Sequence, residues 1–342
     1  MSKKQITSIP QGALSNRISG EEYASLDPSL FDMNAPAEAT SETIVRKSTT
    51  YAQDVWDRFR HNRLAMTGAV IILIMTLSCI FIPMFSQYGY DVTDYGAMRQ
   101  FPGWWDALAG KDTPSSQWFT HICGTDDLGR DLFIRILYGA RISLTIGIVC
   151  AAINFVIGVI YGGLSGYFGG KADMIMMRIV DILISLPSML YTIMFMLVLG
   201  SSVTTVVIAL CFTSWTGTAR IVRAEVMKLK HAEYVLAARL SGARFRNILV
   251  SHLIPNAMGP IIVSTAFMIP SAIFSEAFLS FLGIGIQLPM ASWGALAYSA
   301  QGNLIKYPYK MIFPVLAICI TMFSFNFIGD GLRDALDPKL KK

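Results

Sequence analysis

ILISLPSMLYTIMFMLVLGSSVTTVVIALCFTSWTGTA, residues 182–219, runs for 38 residues without one charged side chain. A bilayer core of about 30 Å is crossed by roughly 20 apolar residues in a helix, so this run is too long for one span and long enough for two. Gly200-Ser201-Ser202 interrupts it. We read two helices in a tight hairpin, the first starting near Met174 with Arg178 and Asp181 at its polar end. A single span here would put the basic segment 220–252 opposite the other basic segments. That arrangement runs against the preference of Lys and Arg for the cytoplasmic side.

Working outward, Leu64–Ser86 and Ile142–Gly163 carry no charge, Leu253–Leu282 carries only Glu276, and Met311–Gly329 closes the series. Six spans follow, and an even number returns both termini to one side. Hydrophobic residues make up 53% and charged residues 15%, with a mean hydropathy of +0.49, which excludes an ordinary soluble domain. With both termini cytoplasmic, 21 of the 28 Lys and Arg fall inside and 7 outside. Arg130, Arg135 and Arg141 lie close to the second span on the outer side and run against the rule.

The expected class is therefore an all-α integral membrane protein of six transmembrane helices in the cell membrane. Residues 1–50 are expected to form a polar, disordered cytoplasmic tail without the apolar core of a cleaved signal peptide, so that the run from Leu64 should act as an uncleaved anchor. Over 51–63, Tyr51, Val55 and Phe59 recur at i, i+4 and i+8, with Arg58, Arg60 and Arg63 elsewhere, which suggests an amphipathic helix in the interface. The membrane domain covers 64–334, with an outer loop at 87–141, a cytoplasmic loop at 220–252 and a cytoplasmic tail at 335–342.

Several chemistries are excluded. The net charge of +5 forms no basic stripe with aromatics, which argues against nucleic acid. The stretch SGYFGGKAD has Ser165 and Ala172 where a phosphate-binding loop needs Gly and Ser or Thr, and it follows a membrane helix. No His/Cys set has metal spacing, and Cys79, Cys150, Cys211 and Cys319 sit in apolar runs; the loop residue Cys123 receives no role. A carrier working alone on a proton or sodium gradient would need ionisable groups near the midplane. Glu276 is the one candidate, and a hydrogen bond to a neighbouring helix explains it as well.

Between the fourth and fifth spans stands TARIVRAEVMKLKHAEYVLAARLSGARFRNILVSHLIPN, residues 218–256. Its centre predicts a helix over Ala232–Leu240, ended by Gly242 in the left-handed conformation. Glu233 suits the N-terminal end, and Arg239, Arg244 and Arg246 suit the C-terminal end. Such a helix reads as a docking element projecting into the cytosol; a solvated linker is the blander alternative.

This loop resembles the cytoplasmic motif of binding-protein-dependent ABC importer permeases: Glu-Ala-Ala, three residues, Gly, nine residues, then an Ile-x-Leu-Pro ending. Ala237, Ala238, Gly242 and Pro255 match, and His252 and Asn256 extend the match to the peptide importers. Leu236 stands where the motif has Glu, and Glu233 one turn earlier is the possible substitute. HICGTDDLGRDLFIRILYGARISL (121–144), GYFGGKADMIMMRIVDILISLP (166–187) and SEAFLSFLGIGIQLPMASWG (275–294) resemble the C-type permease of oligopeptide and dipeptide importers. The resemblance spans about residues 55 to 338.

The resemblance implies a type I ABC importer permease fold. The implied partners are a homologous second permease, two ABC ATPase subunits that bind ATP and Mg, and an extracellular substrate-binding protein. It also implies a peptide substrate, no cofactor and no catalysis in this chain, and ATPase coupling through Glu233, Val235, Leu236, Ala237, Ala238 and Gly242. The family includes importers of nickel and other small solutes as well.

In GTDDLGRD the acids do not alternate as a calcium loop requires. Thr125 or Asp126 is expected to cap a helix, and Arg130, Asp131 and Arg135 to be structural or to meet the binding protein. Gly158 and Gly162 present a small face for close packing, while Gly166 and Gly170 fit the following loop equally well. Pro187, Pro270 and Pro314 can kink their spans. Ser264, Ser271 and Ser275 share one face of the fifth span, together with Glu276 as a candidate lining of a wet path; interhelical hydrogen bonding explains the serines equally.

Overall fold

The computed structural model describes residues 50–108, 120–287 and 289–337. Of the expected tails, all of 1–50 except Thr50 and residues 338–342 lie outside the described residues, as do Lys111 and Trp118. Helix α1 (Tyr51–His61) gives way to α2 (Arg63–Phe85) at Asn62, whose side-chain oxygen accepts from the amides of Leu64 and Ala65. The segment after α2 carries a short α3 (Gly103–Leu108). Then come α4 (Leu132–Phe168), α5 (Gly170–Ser185), α6 (Ser188–Leu199), α7 (Val203–Leu229) and α8 (Glu233–Leu240). The chain ends with α9 (Phe245–Phe281), α10 (Trp293–Ala300) and α11 (Tyr309–Leu336).

Helices α2, α4, α7, α9 and α11 are each long and apolar enough to cross a bilayer, and α5 with α6, bent by 76° at their junction, passes the same test as a pair. The bend falls at Leu186-Pro187. A residue before proline is disfavoured from helical backbone, and Leu186 is extended at φ −99° and ψ 143°. Pro270 and Pro314, by contrast, lie inside continuous helices. Gly200, at φ +79°, ends α6, and Ser202 caps α7 by accepting from the Thr205 amide at 3.1 Å. The charge-free run is thus a helical hairpin whose first arm is broken once more.

Two loops are shorter than expected. Helix α4 reaches back to Leu132 and forward through Gly166; its 37 residues at 1.5 Å each measure roughly 55 Å, well beyond the bilayer core. Helix α7 continues to Leu229, so much of 220–252 is helix.

The three outer arginines that strained the topology are all engaged within the chain. Pro83 lies inside α2 and lacks an N–H, which leaves the Cys79 carbonyl without its helical donor. The Arg141 guanidinium donates to that carbonyl and, at 2.8 Å, to the carbonyl of Ile80. Arg130 Nε donates to Asp126 at 2.6 Å, and the buried Arg135 donates to the Tyr90 carbonyl at 2.9 Å. None of the three is a free loop charge.

Helices α4 and α7 approach most closely along a glycine stripe. A Cβ on Gly158 would lie 2.6 Å from Thr218 Cβ, one on Gly162 2.2 Å from the Ala219 carbonyl, and one on Gly166 2.8 Å from the Arg223 carbonyl. Gly166 therefore belongs to the helix contact, whereas Gly170 opens α5 with no atom within 4 Å of where a Cβ would stand. At the end bearing α8, Phe59 of α1 packs against Ala65 and Ala335, and Asn62 donates to Asp334 at 3.3 Å. The beginning and end of the membrane domain meet there.

Candidate functional site

Helix α8 starts one residue inside its expected bound and ends as the glycine requires. Gly242 has φ +78°; its amide donates to the Arg239 carbonyl at 3.0 Å and the Ala243 amide to the Ala238 carbonyl at 3.1 Å. These two bonds are the Schellman closure of a helix C-terminus.

Exposure divides the candidate residues into two sets. Glu233, Leu236, Ala237 and Leu240 follow i, i+3, i+4 and i+7 spacing and all face outward, with Leu240 90% exposed. Val235 is fully enclosed among Val222, Val226, Ile248 and Leu249, and Ala238 packs against the same cluster. Val235, expected to contact a partner, is instead the root of the helix, since an enclosed side chain has no surface left to offer, whereas Ala238 is half-buried at the edge of the stripe. Leu240, which the motif did not single out, is the most exposed apolar residue of the stripe; its i+4 spacing from Leu236 was the available signal.

The base of α8 is tied to the bundle. The Arg239 guanidinium lies 5.5 Å from the centre of the Tyr167 ring, and Phe245 packs on Tyr167 and Phe168. Beneath it, Asp173 of α5 accepts from both arms of the Arg223 guanidinium on α7 and, at 2.5 Å, from Ser165 on α4. Lys230 donates to the Gly166 carbonyl at 3.2 Å and Arg220 to Asp181 at 2.7 Å. Three helices, α4, α5 and α7, are thus clamped together near the start of α8.

The serine stripe of α9 opens onto two clefts. Ser275 lines one of about 220 Å³ with Ser188, Thr192, Thr213, Ser214 and Phe278, and no charged side chain lines it. Ser264 lines a second of about 410 Å³ with Ile221, Pro260, Arg333 and Asp337. Ser271 is exposed between them. The hydroxyls of Ser275, Thr192 and Ser214 donate to carbonyls of their own helices, at 2.8, 3.0 and 2.6 Å, so Ser275 makes no bridge to another helix with its proton. Each oxygen retains acceptor capacity. Ser188, Thr192, Thr213 and Ser214 escaped the sequence reading because they lie on other helices. Glu276 does not join this lining: it is 0% exposed and accepts from Ser143 of α4 at 2.9 Å.

At the end of the bundle opposite α8, GTDDLGRD is a knot. Asp131, not Thr125 or Asp126, caps α4, accepting from the Ile134 amide at 2.9 Å while His121 contacts its other oxygen at 2.8 Å. Asp126 instead closes its own turn, accepting from the Leu128 and Arg130 amides at 2.8 and 3.0 Å. Thr125 donates to the Ala97 carbonyl and accepts from the Gln100 amide at 2.8 Å. Trp104 donates to the Ile122 carbonyl at 2.7 Å. Burial alone would raise the Asp127 carboxyl, but Lys310 at 2.6 Å and Arg99 at 2.7 Å hold it below the ordinary range. Burial pushes the Cys123 thiol up to about 12, so it is unreactive at neutral pH. Arg130, Asp131 and Arg135 are all buried, which leaves them to the fold and not to an outside partner. Among the described residues no group of three or more His, Cys, Asp or Glu could hold a metal ion.

Residues 132–342 match the family described as binding-protein-dependent transport system inner membrane component. Residues 50–102 match the N-terminal transmembrane domain of oligopeptide transport permease C. The oligopeptide transport system permease protein of Bacillus subtilis is 47% identical over 92% of this chain and 98% of its own length. The dipeptide permease of the same organism is 42% identical over 94% and 96%. A glutathione transport system permease of Pectobacterium atrosepticum is 40% identical over 89% and 96%. Among solved structures, an inward-facing methionine ABC transporter aligns at 19% identity and a TM-score of 0.47, covering 60% of this chain and 98% of that one.

Proposed function

The chain belongs to the family of binding-protein-dependent transport system inner membrane components, and on that basis we propose that it is a permease subunit of an ATP-driven importer of oligopeptides or dipeptides. The observation that carries the mechanism is the outward stripe of α8. Leu236 and Leu240 stand 47% and 90% exposed on a short helix whose other face is rooted in the core, and apolar surface held out rigidly in this way is a contact for a partner. Two ATPase subunits holding ATP and Mg supply that partner, and this chain contributes no hydrolysis of its own. The side bearing α8 and both termini is cytoplasmic, in accord with the distribution of Lys and Arg.

A homologous second permease covers part of the apolar surface left by α5 and α6, where Ile175, Ile182 and Leu197 are 63%, 60% and 77% exposed, and lipid covers the rest. Each permease forms half of the path. Ser264, Ser271 and Ser275 line this half, and the uncharged cleft at Ser275 offers hydroxyl oxygens to the N–H groups of a passing peptide. An extracellular binding protein delivers the substrate and sets its selection. The glutathione permease among the relatives favours a second reading in which the cargo is glutathione.

The test is peptide-stimulated ATP hydrolysis by the reconstituted complex. Leu236→Asp and Leu240→Asp each place a charge on the exposed stripe without touching the core. We expect at least tenfold lower stimulation with the permease still inserted. Wild-type stimulation in both variants, at equal assembly, makes α8 a linker and overturns the reading. Uptake assays with dipeptides, longer peptides and glutathione separate the cargo classes.

A further inference from the structure

Glu276 is enclosed in the fold, and its contacts are unlike those of a charge awaiting a counter-ion. One carboxyl oxygen accepts from Ser143 of α4 at 2.9 Å and the other from Ser280 at 2.9 Å. Among the described residues, no ion pair to Glu276 is formed.

A hydroxyl has one proton to give, so a serine that donates to the carboxyl is left with lone pairs for its other neighbour. Ser280 Oγ accepts from the Ile286 amide at 3.0 Å, and Ser292 Oγ accepts from the Ala295 amide at 3.2 Å at the start of α10. The carboxyl therefore orders the Ile286 amide through Ser280, while Ser292 holds the Ala295 amide. Both lie in the cap that folds back over the end of α9. That cap is tight: a Cβ on Gly285 would lie 2.4 Å from Ser280 Oγ, and one on Gly294 2.3 Å from the Ala277 carbonyl. Ser201, in the turn between α6 and α7, donates to the Ile284 carbonyl at 3.1 Å, so the cap also holds the hairpin beside the cleft.

Successive residues on a helix point about 100° apart. Ser275 lines the uncharged cleft with Phe274 and Phe278, while Glu276 beside it is fastened to α4. We propose that Glu276 is a positioning residue: bonded to Ser143 and Ser280, it sets the rotation of the outer third of α9 and the seat of the cap, and so presents Phe274, Ser275 and Phe278 to the path. A side chain with two oxygens suits this place. Its two oxygens accept from two hydroxyls, whereas Gln offers one such oxygen and turns an N–H toward a hydroxyl already oriented to donate.

The consequence for transport rests on the cleft at Ser275 being part of the path, and the experiment separates the two claims. In the assembled complex, amide exchange of residues 282–296 is measured for wild type, Glu276→Ala, Glu276→Gln and Ser143→Ala. We expect exchange there to rise tenfold or more in Glu276→Ala, less in Glu276→Gln, with α1 and α8 unchanged. Ser275→Cys in a Cys319→Ser background, where the other four cysteines are buried, reports the rotation of α9 through its rate of thiol modification. That rate should change at least threefold on adding Glu276→Ala. Should Glu276→Ala fail to assemble, the cycle of Ser143→Ala with Glu276→Gln decides. Loss of the Ser143 hydroxyl should matter less once Glu276 is Gln, and fully additive effects on exchange overturn the proposal. Unchanged exchange and unchanged Ser275→Cys modification also overturn it. Altered exchange with wild-type peptide uptake upholds the positioning role and removes the cleft from the path.

Discussion

Gly129 and Gly242 hold nearly the same backbone, φ +75° and φ +78°, at opposite ends of the molecule. A Cβ on Gly129 would lie 1.7 Å from the Asp94 carbonyl oxygen, whereas one on Gly242 would meet nothing within 4 Å. The outer glycine is required twice over, by conformation and by space; the inner one is required by conformation alone. The outer end, with Asp126, Asp131 and Arg135 buried against its own backbone, spends its polar residues on holding one shape. The inner end roots one face of α8 and leaves the other bare. Motif residues at the first end speak about the fold alone, whereas at the α8 end the fold uses Val235 and Gly242 and leaves the stripe of Leu236 and Leu240 bare.

The sharpest way to break this contrast is to make the same substitution at both glycines. Gly129→Ala should lose about 3 kcal/mol or more, because left-handed strain adds to overlap with backbone that cannot move aside. Gly242→Ala should lose only about 1 to 2 kcal/mol, the conformational cost by itself. Protease sensitivity of the outer loop and thermal unfolding in detergent are the measurements, and equal losses would erase the distinction between the two ends.

Within α8 the contrast repeats on a smaller scale. Val235→Ala removes enclosed methyl groups and should cost about 2 kcal/mol, with coupling weakened because the root is loosened. The Leu240 side chain, at 90% exposure, contributes little to the isolated subunit's stability. If Val235→Ala leaves unfolding unchanged, the division of the helix into root and stripe is wrong.

The smallest effect expected concerns acid. Lys310 and Arg99 hold the Asp127 carboxyl below its ordinary range against the effect of burial. A depressed folded pKa contributes stability that is fully present above the unfolded value of about 3.9 and is lost as pH falls through the folded value. Proteolysis around Asp127 should therefore quicken below about pH 4, while cleavage near α8 does not follow the same curve. Asp127→Asn should flatten the response, and an unaltered pH profile in that variant would assign the acid sensitivity elsewhere.

Much of this was legible in the sequence for one physical reason: lipid rewards uninterrupted apolar length, and a run of 38 uncharged residues can satisfy it only as a hairpin. The bounds of α8 and the left-handed Gly242 were equally legible, since a glycine after a short amphipathic run is a local stop signal. What local pattern cannot carry is the identity of a distant neighbour. Arg141 looked like a loop charge because its reason for lying in a helix is the carbonyl freed by Pro83, on another span. Val235 and Leu236 are adjacent in the chain, and only the arrival of Ile248 and Leu249 decides which is root and which is surface. Glu276 read as a lone ionisable group near a possible path, yet one of its donors, Ser143, lies 133 residues away. Apolar length and turn chemistry are properties of a segment, and the sequence alone determines them. Burial and hydrogen-bond partnership belong to pairs of segments, and they exist only once the tertiary structure has brought those segments together.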